Sequence, residues 1–529
     1  MELDRRTFIK GAALSGALAA TAGLAACSPA QSGESDGGQT GASDAGAGQQ
    51  SGDWRAAPEP IADIAETVDA DVVVVGAGTS GCFATLAAVE AGAKTVCLQK
   101  GSMVMTHGAV FGAIGSRWQQ EAGYEYDINE MANAHARYNS LRPDIRFLKS
   151  IMAESAKTLE WIADETGTDF ELVVKGGNHY EYDQPVFMTG HRTTADKAIG
   201  LATQIADLAT SKGAEFYFDT PGVQLVSEDG RVTGVVGQRE DGSYVQFNAA
   251  KGVILSTGDY GSDYAMCADL CPWVVGTNNY YNPPYNTGDG HKMGTWVGAK
   301  METPPHTKMA HVHSCIDGTN LTDSPMRTDP FLWVNQNGER FCNEDMEYGM
   351  ICNIVSEQPG DVYYIVCDAT YADQRKTRRN PGADIKQEAV DKAVELGYWI
   401  TADTLEEAAE AWEIPAEALK ETVARYNELA EAGVDEDYGK PAADLGPIAQ
   451  GPFHIVRVYT PMDVTMGGLM VNGNMQVLDE DDAVIEGLYA TGNTQGGFYG
   501  ATDYDLEVDG FSLGRAATSG RLAGEHAAR

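Results

Sequence analysis

Apolar and polar positions follow two rhythms along this chain. Asp71–Val75 (D-V-V-V-V) is an unbroken apolar, β-branched run, the pattern of a strand covered on both faces. Thr95–Gln99 is a second such strand, and the small apolar residues from Ser80 to about Glu90 between them predict a helix. Lys251–Ser256 (K-G-V-I-L-S) and Gly487–Gly492 (G-L-Y-A-T-G) are further apolar strands that run into glycine. Asn286–Ala299 reads as a glycine turn feeding a helix, and a last helix covers about Ser512–Ala528. From about Pro304 to Pro461 the character changes to polar loops, a strand-like Val362–Cys367, and amphipathic helices across 385–397 and 405–431. Nucleotide-domain signals therefore sit at both ends, with a different domain between them.

The first strand opens into Gly76, Gly78 and Gly81 in G-x-G-x-x-G spacing. Gly76 makes the tight turn, Gly78 lets backbone N–H groups approach a pyrophosphate, and Gly81 lets the helix pack against the strand. The phosphates would sit on the helix N-terminus, where N–H donors and the macrodipole favour anions. The strand–turn–helix–strand context makes this a dinucleotide site; FAD and NAD both fit it at this level.

A chain of 529 residues, 43% hydrophobic, can bury a large core and is long enough for two domains. Its net charge of −40 argues against nucleic acid as a partner and suits a solubilising surface. Arg5-Arg6-Thr7-Phe8 ahead of an alanine-rich stretch resembles a Tat export signal, and Leu24-Ala25-Ala26-Cys27 resembles a lipobox that would lipidate Cys27. The Ser/Gly/Ala/Gln-rich stretch that follows reads as a flexible tether from a membrane. No run of the mature chain is long and apolar enough to span a bilayer. The nine cysteines are scattered, with no haem-attachment motif, no cluster-binding group and no evident metal site, and Cys267 and Cys271 read as structural. Electrons must then arrive from another molecule.

G-A-G-T-S-G at the turn, T-G-D-G at 287–290, V-N-Q-N-G-E-R-F-C-N-E at 334–344, T-M-G-G at 465–468, G-L-Y-A-T-G-N at 487–493 and S-G-R-L-A-G at 519–524 occur in this order. Together they resemble the flavoprotein subunits of the fumarate reductase/succinate dehydrogenase superfamily, nearest to flavocytochrome c fumarate reductase, urocanate reductase and the ketosteroid dehydrogenases. The resemblance implies an α/β fold, a Rossmann-like FAD-binding domain with an inserted α+β cap domain. The divisions are a signal over 1–27, a linker over 28–67, FAD-binding segments over 68–304 and 464–529, and a substrate cap over 305–463. It further implies FAD, a small unsaturated organic substrate, and a separate cytochrome or quinol electron donor. Hydride from flavin N5 would go to one carbon of an activated C=C bond, and a protein acid would protonate its neighbour.

Carried over residue by residue, Gly76, Gly78 and Gly81 match the pyrophosphate turn, with Ser80 inside it. Gln99, followed by Lys100, stands where an acid normally holds the adenosine ribose. Thr257 and Gly258 match an A-T-G-G motif whose last glycine is Asp259 here. Asp289 matches the G-D-G acid, Asn493 replaces a glutamate, and Ser512 and Leu513 open the helix aimed at the flavin pyrimidine. The substrate side departs further. The arginine acid of the fumarate reductases becomes Tyr348, the histidine before T-M-G-G becomes Val464, and a carboxylate-clamping arginine becomes Asp503. Arg327 matches an arginine of the proton relay, whose glutamate becomes Ser324.

Too little positive charge is left for a small dicarboxylate. Tyr348 is the candidate proton donor, since a phenol of pKa about 10 is protonated at neutral pH; its bland alternative is a packed cap-domain aromatic. His311, Tyr499 and Asp503 are candidate pocket residues, and Arg340 and the Glu406, Glu407 and Glu410 group read as structural or solvated. The expected activity is an exported FAD-dependent reductase of an enoate or enone, not specific for fumarate. Two other readings stand beside it: the reverse dehydrogenation of a ketone or steroid, and a flavin-bearing electron-transfer or binding lipoprotein without turnover.

Overall fold

The structure, a computed structural model, describes residues 53–174, 189–274, 285–310, 312–314, 325–326, 329–345, 348–378, 385–500 and 508–529. The signal and most of the linker lie outside these residues. Among them, no helix is long and apolar enough to cross a membrane.

The apolar run at Val72–Val75 is the buried half of a longer strand, β1 (Ile64–Val75). It leads through the glycine turn into helix α1 (Thr79–Glu90) and on to strand β2 (Thr95–Leu98). β1 lies between β2 and the strand Tyr244–Leu255, parallel to both, and Val484–Ala490 adds on parallel beyond the latter. Glu215–Tyr217 extends the sheet in parallel on the side of β2. All these strands run toward one edge, so the residues that follow Val75, Leu98, Leu255 and Ala490 gather along it. That edge, outside the carboxyl ends of parallel strands, is where such folds bind ligands.

The linker expected through residue 67 ends sooner. Trp54 is only 8% exposed and donates through its indole N–H to Asp269 at 2.8 Å. β1 begins at Ile64 because Val68–Ala70 pair with Phe247–Ala249, a long-range register that local composition does not announce.

The C-terminal helix Phe511–Ala527 packs against α1 through glycines. A Cβ at Gly520 would come within 2.2 Å of the Ser80 carbonyl, and one at Gly524 within 2.3 Å of the Ala84 carbonyl. Only glycine permits so close an approach of two backbones.

Between these parts the chain leaves through Thr307–Ala310 and returns through Met462–Met466, two strands paired antiparallel. The excursion holds a four-stranded antiparallel sheet in the order Leu332–Val334, Val362–Asp368, Phe453–Tyr459, Trp399–Ala402. Its central strand is buried on both faces: Tyr363 and Ile365 pack with Trp333 and Trp399, while Tyr364 and Val366 pack with Leu419 and Tyr426. The helix expected over 405–431 is two helices, Leu405–Glu410 and Ala416–Ala432, because Pro415 cannot continue the first. Arg340 is structural here, forking onto Glu344 and Asp435 at 2.8 Å each, and Glu344 also receives Lys440 at 3.2 Å.

Candidate active site

A cleft of about 870 Å³ opens along the carboxyl edge of the parallel sheet, toward the large end of the range of about 300–1,000 Å³ for small-molecule and cofactor sites. Gly76, at φ +107°, starts it; a Cβ there would lie 2.3 Å from the Ser256 carbonyl oxygen. Gly78 and Ser80 follow along the same wall. Gly81 lies behind the wall rather than on it, and a Cβ there would come 1.7 Å from the Gly76 carbonyl oxygen, so the turn closes only with glycine at both places.

Three helices turn their N-termini to this cleft: α1 near Thr79, Asp289–Trp296 at Asp289, and Phe511–Ala527 near Ser512 and Leu513. None of the three is capped by the side chain of its own N-cap residue. The Gly290 N–H of the second is taken by Thr257 and the Phe511 N–H of the third by the Val508 carbonyl, which leaves the first turn of α1 and the N–H groups at Ser512 and Leu513 to face a ligand. A glycine cradle and uncapped helix ends are what a dinucleotide pyrophosphate and an electron-rich ring require.

At the glycine end, Gln99 is 8% exposed. Its Oε1 accepts the Ala77 N–H at 2.9 Å and its Nε2 donates to the Met103 carbonyl at 3.2 Å. The residue therefore braces the glycine turn as well as facing the cleft. Lys100 donates to Thr287 at 2.7 Å and to Asp289 at 3.0 Å, so its charge is already engaged. Thr257 and Gly258 sit midway. The Thr257 hydroxyl accepts the Gly290 N–H at 3.0 Å and tethers the Asp289 helix to the strand end.

The other end is walled by Met309, Val464, Asp463, Asp259 and Asn493. Arg515, 1% exposed, donates to the Gly492 carbonyl and to Asn493 Oδ1, both at 2.7 Å, and fixes the amide. This arginine escaped sequence reading because an F-S-L-G-R segment gives no sign that its charge turns inward. Asp259 is 1% exposed, and burial pushes its carboxyl up to about 7. His107 lines the middle, its ring pushed down to about 4 by burial and so neutral at pH 7.

Eleven of the twelve residues singled out for the cofactor thus line one cleft, and Gly81 supports it. The substrate candidates fare differently. Tyr499 does not line the cleft: its ring packs on Phe498 and His135, and the Arg515 guanidinium lies 5.3 Å above it. Tyr348 opens the helix Tyr348–Val355, with its side chain outside the described residues. Arg327, His311 and Asp503 also lie outside them.

With this geometry in place, comparison with known proteins gives a clear result. An FAD-binding-domain family model matches residues 71–503. The chain belongs to this family. FAD is its cofactor. Vinyl phenol reductase of Lactiplantibacillus plantarum is 28% identical over 494 residues, which are 87% of this chain and 96% of that protein. NADH:acrylate oxidoreductase of Vibrio harveyi is 25% identical over 531 residues, and there the match spans only half of the relative's length. The open conformation of a flavocytochrome c3 fumarate reductase superposes with a TM-score of 0.69 at 25% identity, over 88% of this chain and 78% of that one. The mixed α/β FAD-binding architecture is therefore shared.

Proposed function

We propose that the protein is an exported reductase of an activated C=C bond, an enoate or enone, and not a fumarate-specific enzyme. It is an FAD-dependent oxidoreductase acting on CH–CH groups. The observation that carries the reading is the wall at the Val464 end. Val464 and Met309 present apolar surface where a small dicarboxylate would need a fixed cation. Among the described lining residues the basic side chains are Lys100, whose charge is held by Asp289, and His107, which is uncharged at pH 7. The near full-length likeness to a vinyl phenol reductase supports a C=C bond as the group reduced.

When bound, FAD supplies the electron pair and hydride. The chain's own residues do the rest. The uncapped N-terminus at Ser512 and Leu513 favours negative charge beside it, and Asn493, fixed by Arg515, adds an oriented amide. Tyr348 donates the proton, with Arg327 in the path that resupplies it. Electrons come from a separate cytochrome or quinol donor, and Cys27 anchors the exported chain to the membrane through lipid.

Anaerobic reduction of the purified protein with dithionite, followed by panels of enoates, enones and saturated ketones, tests this. Reoxidation of the flavin by unsaturated compounds, with fumarate a poor oxidant, is the expected outcome. Reduction of the oxidised flavin by a saturated ketone would turn the reading to a dehydrogenase, and silence in both panels to an electron-transfer or binding protein. Tyr348→Phe should keep its FAD and lose reoxidation; normal turnover in that variant would remove the tyrosine from the mechanism.

A further inference from the structure

Asp259 stands on the cleft wall where the resemblance puts a glycine, and half of its carboxyl is unaccounted for. Oδ2 accepts the Thr465 backbone N–H at 2.6 Å and the Thr465 hydroxyl at 3.4 Å, while Oδ1 is buried with no hydrogen-bond partner. The segment around it is rigidly held. Tyr260 N–H donates to Thr465 Oγ1 at 3.2 Å, and Gly288 N–H donates to the Asp259 carbonyl at 3.1 Å. The backbone N–H groups of Asp259 and Gly261 also approach the carboxyl and favour its charged form, but a buried carboxylate oxygen without a hydrogen bond of its own costs free energy that protonation relieves.

The groups packed around it can be named. Tyr260 and the Cys267 and Cys271 thiols are all pushed up by burial and are neutral at physiological pH. From the helix Asp289–Trp296 comes His291, lowered to about 4, while Lys292 of that helix is taken by Asp263 at 2.7 Å. His306, also lowered to about 4, bonds the Tyr260 hydroxyl at 2.8 Å. Asp463 shares the strand of Thr465 and has interactions of its own. Glu302, raised by burial to about 7, is the other group of this neighbourhood that titrates near neutrality.

We propose that Asp259 is a redox-linked proton site: its Oδ1 takes up one proton from water in the cleft as bound FAD receives two electrons from a reductant, and returns the proton when the electrons leave. Two negative charges inside one low-dielectric cleft repel, so adding electrons to the cofactor raises the carboxylate's affinity for a proton, and linkage makes the effect reciprocal. The orphan Oδ1 is where the proton resides. Burial already brings the carboxyl to about 7, which places the exchange in the physiological range. The inference rests on FAD in this cleft and not on the identity of the substrate.

The test is the flavin midpoint potential, measured with dithionite and reference dyes between about pH 5.5 and 9. One added proton per two electrons steepens the dependence by a tenfold change in equilibrium per pH unit, about 30 mV. The wild type should show that extra slope around neutrality. Asp259→Asn, which keeps an acceptor for Thr465, should lose it and sit at least tenfold, about 30 mV, more oxidising at the alkaline end. Redox-difference infrared spectra should show a protonated-carboxyl band appearing on reduction in the wild type and absent in Asp259→Asn. Asp259→Gly serves as a second variant should the amide disturb the fold. The extra slope should survive in Glu302→Gln. Equal slopes and potentials in wild type and both Asp259 variants, or loss of the slope in Glu302→Gln instead, would overturn the proposal.

Discussion

At the glycine-turn end of the cleft the ligand meets backbone, packed so tightly that a Cβ on Gly81 would lie 1.7 Å from the Gly76 carbonyl oxygen. At the Val464 end it meets side chains carried on a paired strand, where one residue type can replace another without moving the main chain. The first end therefore tolerates almost no change, while the second can be rebuilt for a new substrate at little cost to the fold. Departures from the fumarate reductase pattern occur at both ends: the backbone turn keeps Gly76, Gly78 and Gly81 while Gln99 beside it replaces an acid, and Val464 and Asp259 are changed at the other end.

The sharpest way to break the comparison is at its rigid end. Gly81→Val should cost more than about 4 kcal/mol, because no side chain can yield to a backbone carbonyl at that distance; the protein should emerge without FAD or fail to fold, read from flavin content and the thermal midpoint. Arg515→Ala comes next. It strands the buried Gly492 carbonyl and loosens Asn493, at about 1.5–3 kcal/mol for hydrogen bonds to a charged group, seen in denaturant unfolding of the holoprotein. Gln99→Ala removes the brace between Ala77 and Met103 and should weaken FAD binding about tenfold, from about 1–1.5 kcal/mol lost, measured by flavin fluorescence on dilution.

At the adaptable end, Val464→His should leave FAD content unchanged and improve reoxidation by small carboxylates such as acrylate by up to about tenfold. Equal loss of FAD in this variant and in Gln99→Ala would dissolve the distinction between the two ends. A separate measure of the adaptable end is its stability against pH. The Asp259 and Glu302 carboxyls are both raised by burial to about 7 from ordinary values near 4. Their neutral forms favour the fold, so this contribution is complete below about pH 4 and is lost as pH rises through 7. Thermal midpoints should fall over that interval, and less steeply in Glu302→Gln.

Much of the rigid end could be read from the sequence, because its chemistry is local. G-x-G-x-x-G after a valine run fixes a turn and a helix start within a dozen residues, and α1 and β2 lie within one residue of their expected bounds. The adaptable end depends on contacts between residues about two hundred positions apart, such as Asp259 with Thr465. Nothing near Asp259 in the sequence reveals that its carboxyl is buried. Gln99 illustrates the same limit: its place at the end of β2 was legible, but its bond to Ala77 belongs to a turn whose closure is a tertiary event. Tyr499, read as a pocket wall from an aromatic in a glycine-rich loop, packs on Phe498 and His135 with the Arg515 guanidinium over its ring, contacts that the loop sequence does not announce.

The order in which the chain is made adds a last consequence. The strand Tyr244–Leu255 waits for its parallel neighbour Val484–Ala490 until about 230 further residues have been synthesised. At the usual pace of translation this is a delay of roughly 10–50 s. Throughout it, the Val253–Leu255 end of that strand stays uncovered, its Tyr244–Asn248 half being paired already with Arg231–Gln238, and the cleft lacks the helix that seals α1. The intervening sheet, with its own cores on both faces, can fold during that pause, so the nascent chain carries a finished insert on an unfinished base. Cofactor capture is thereby tied to the synthesis of Val484–Ala490 and Phe511–Ala527, and the nascent chain is most exposed to misassociation just before these two elements arrive.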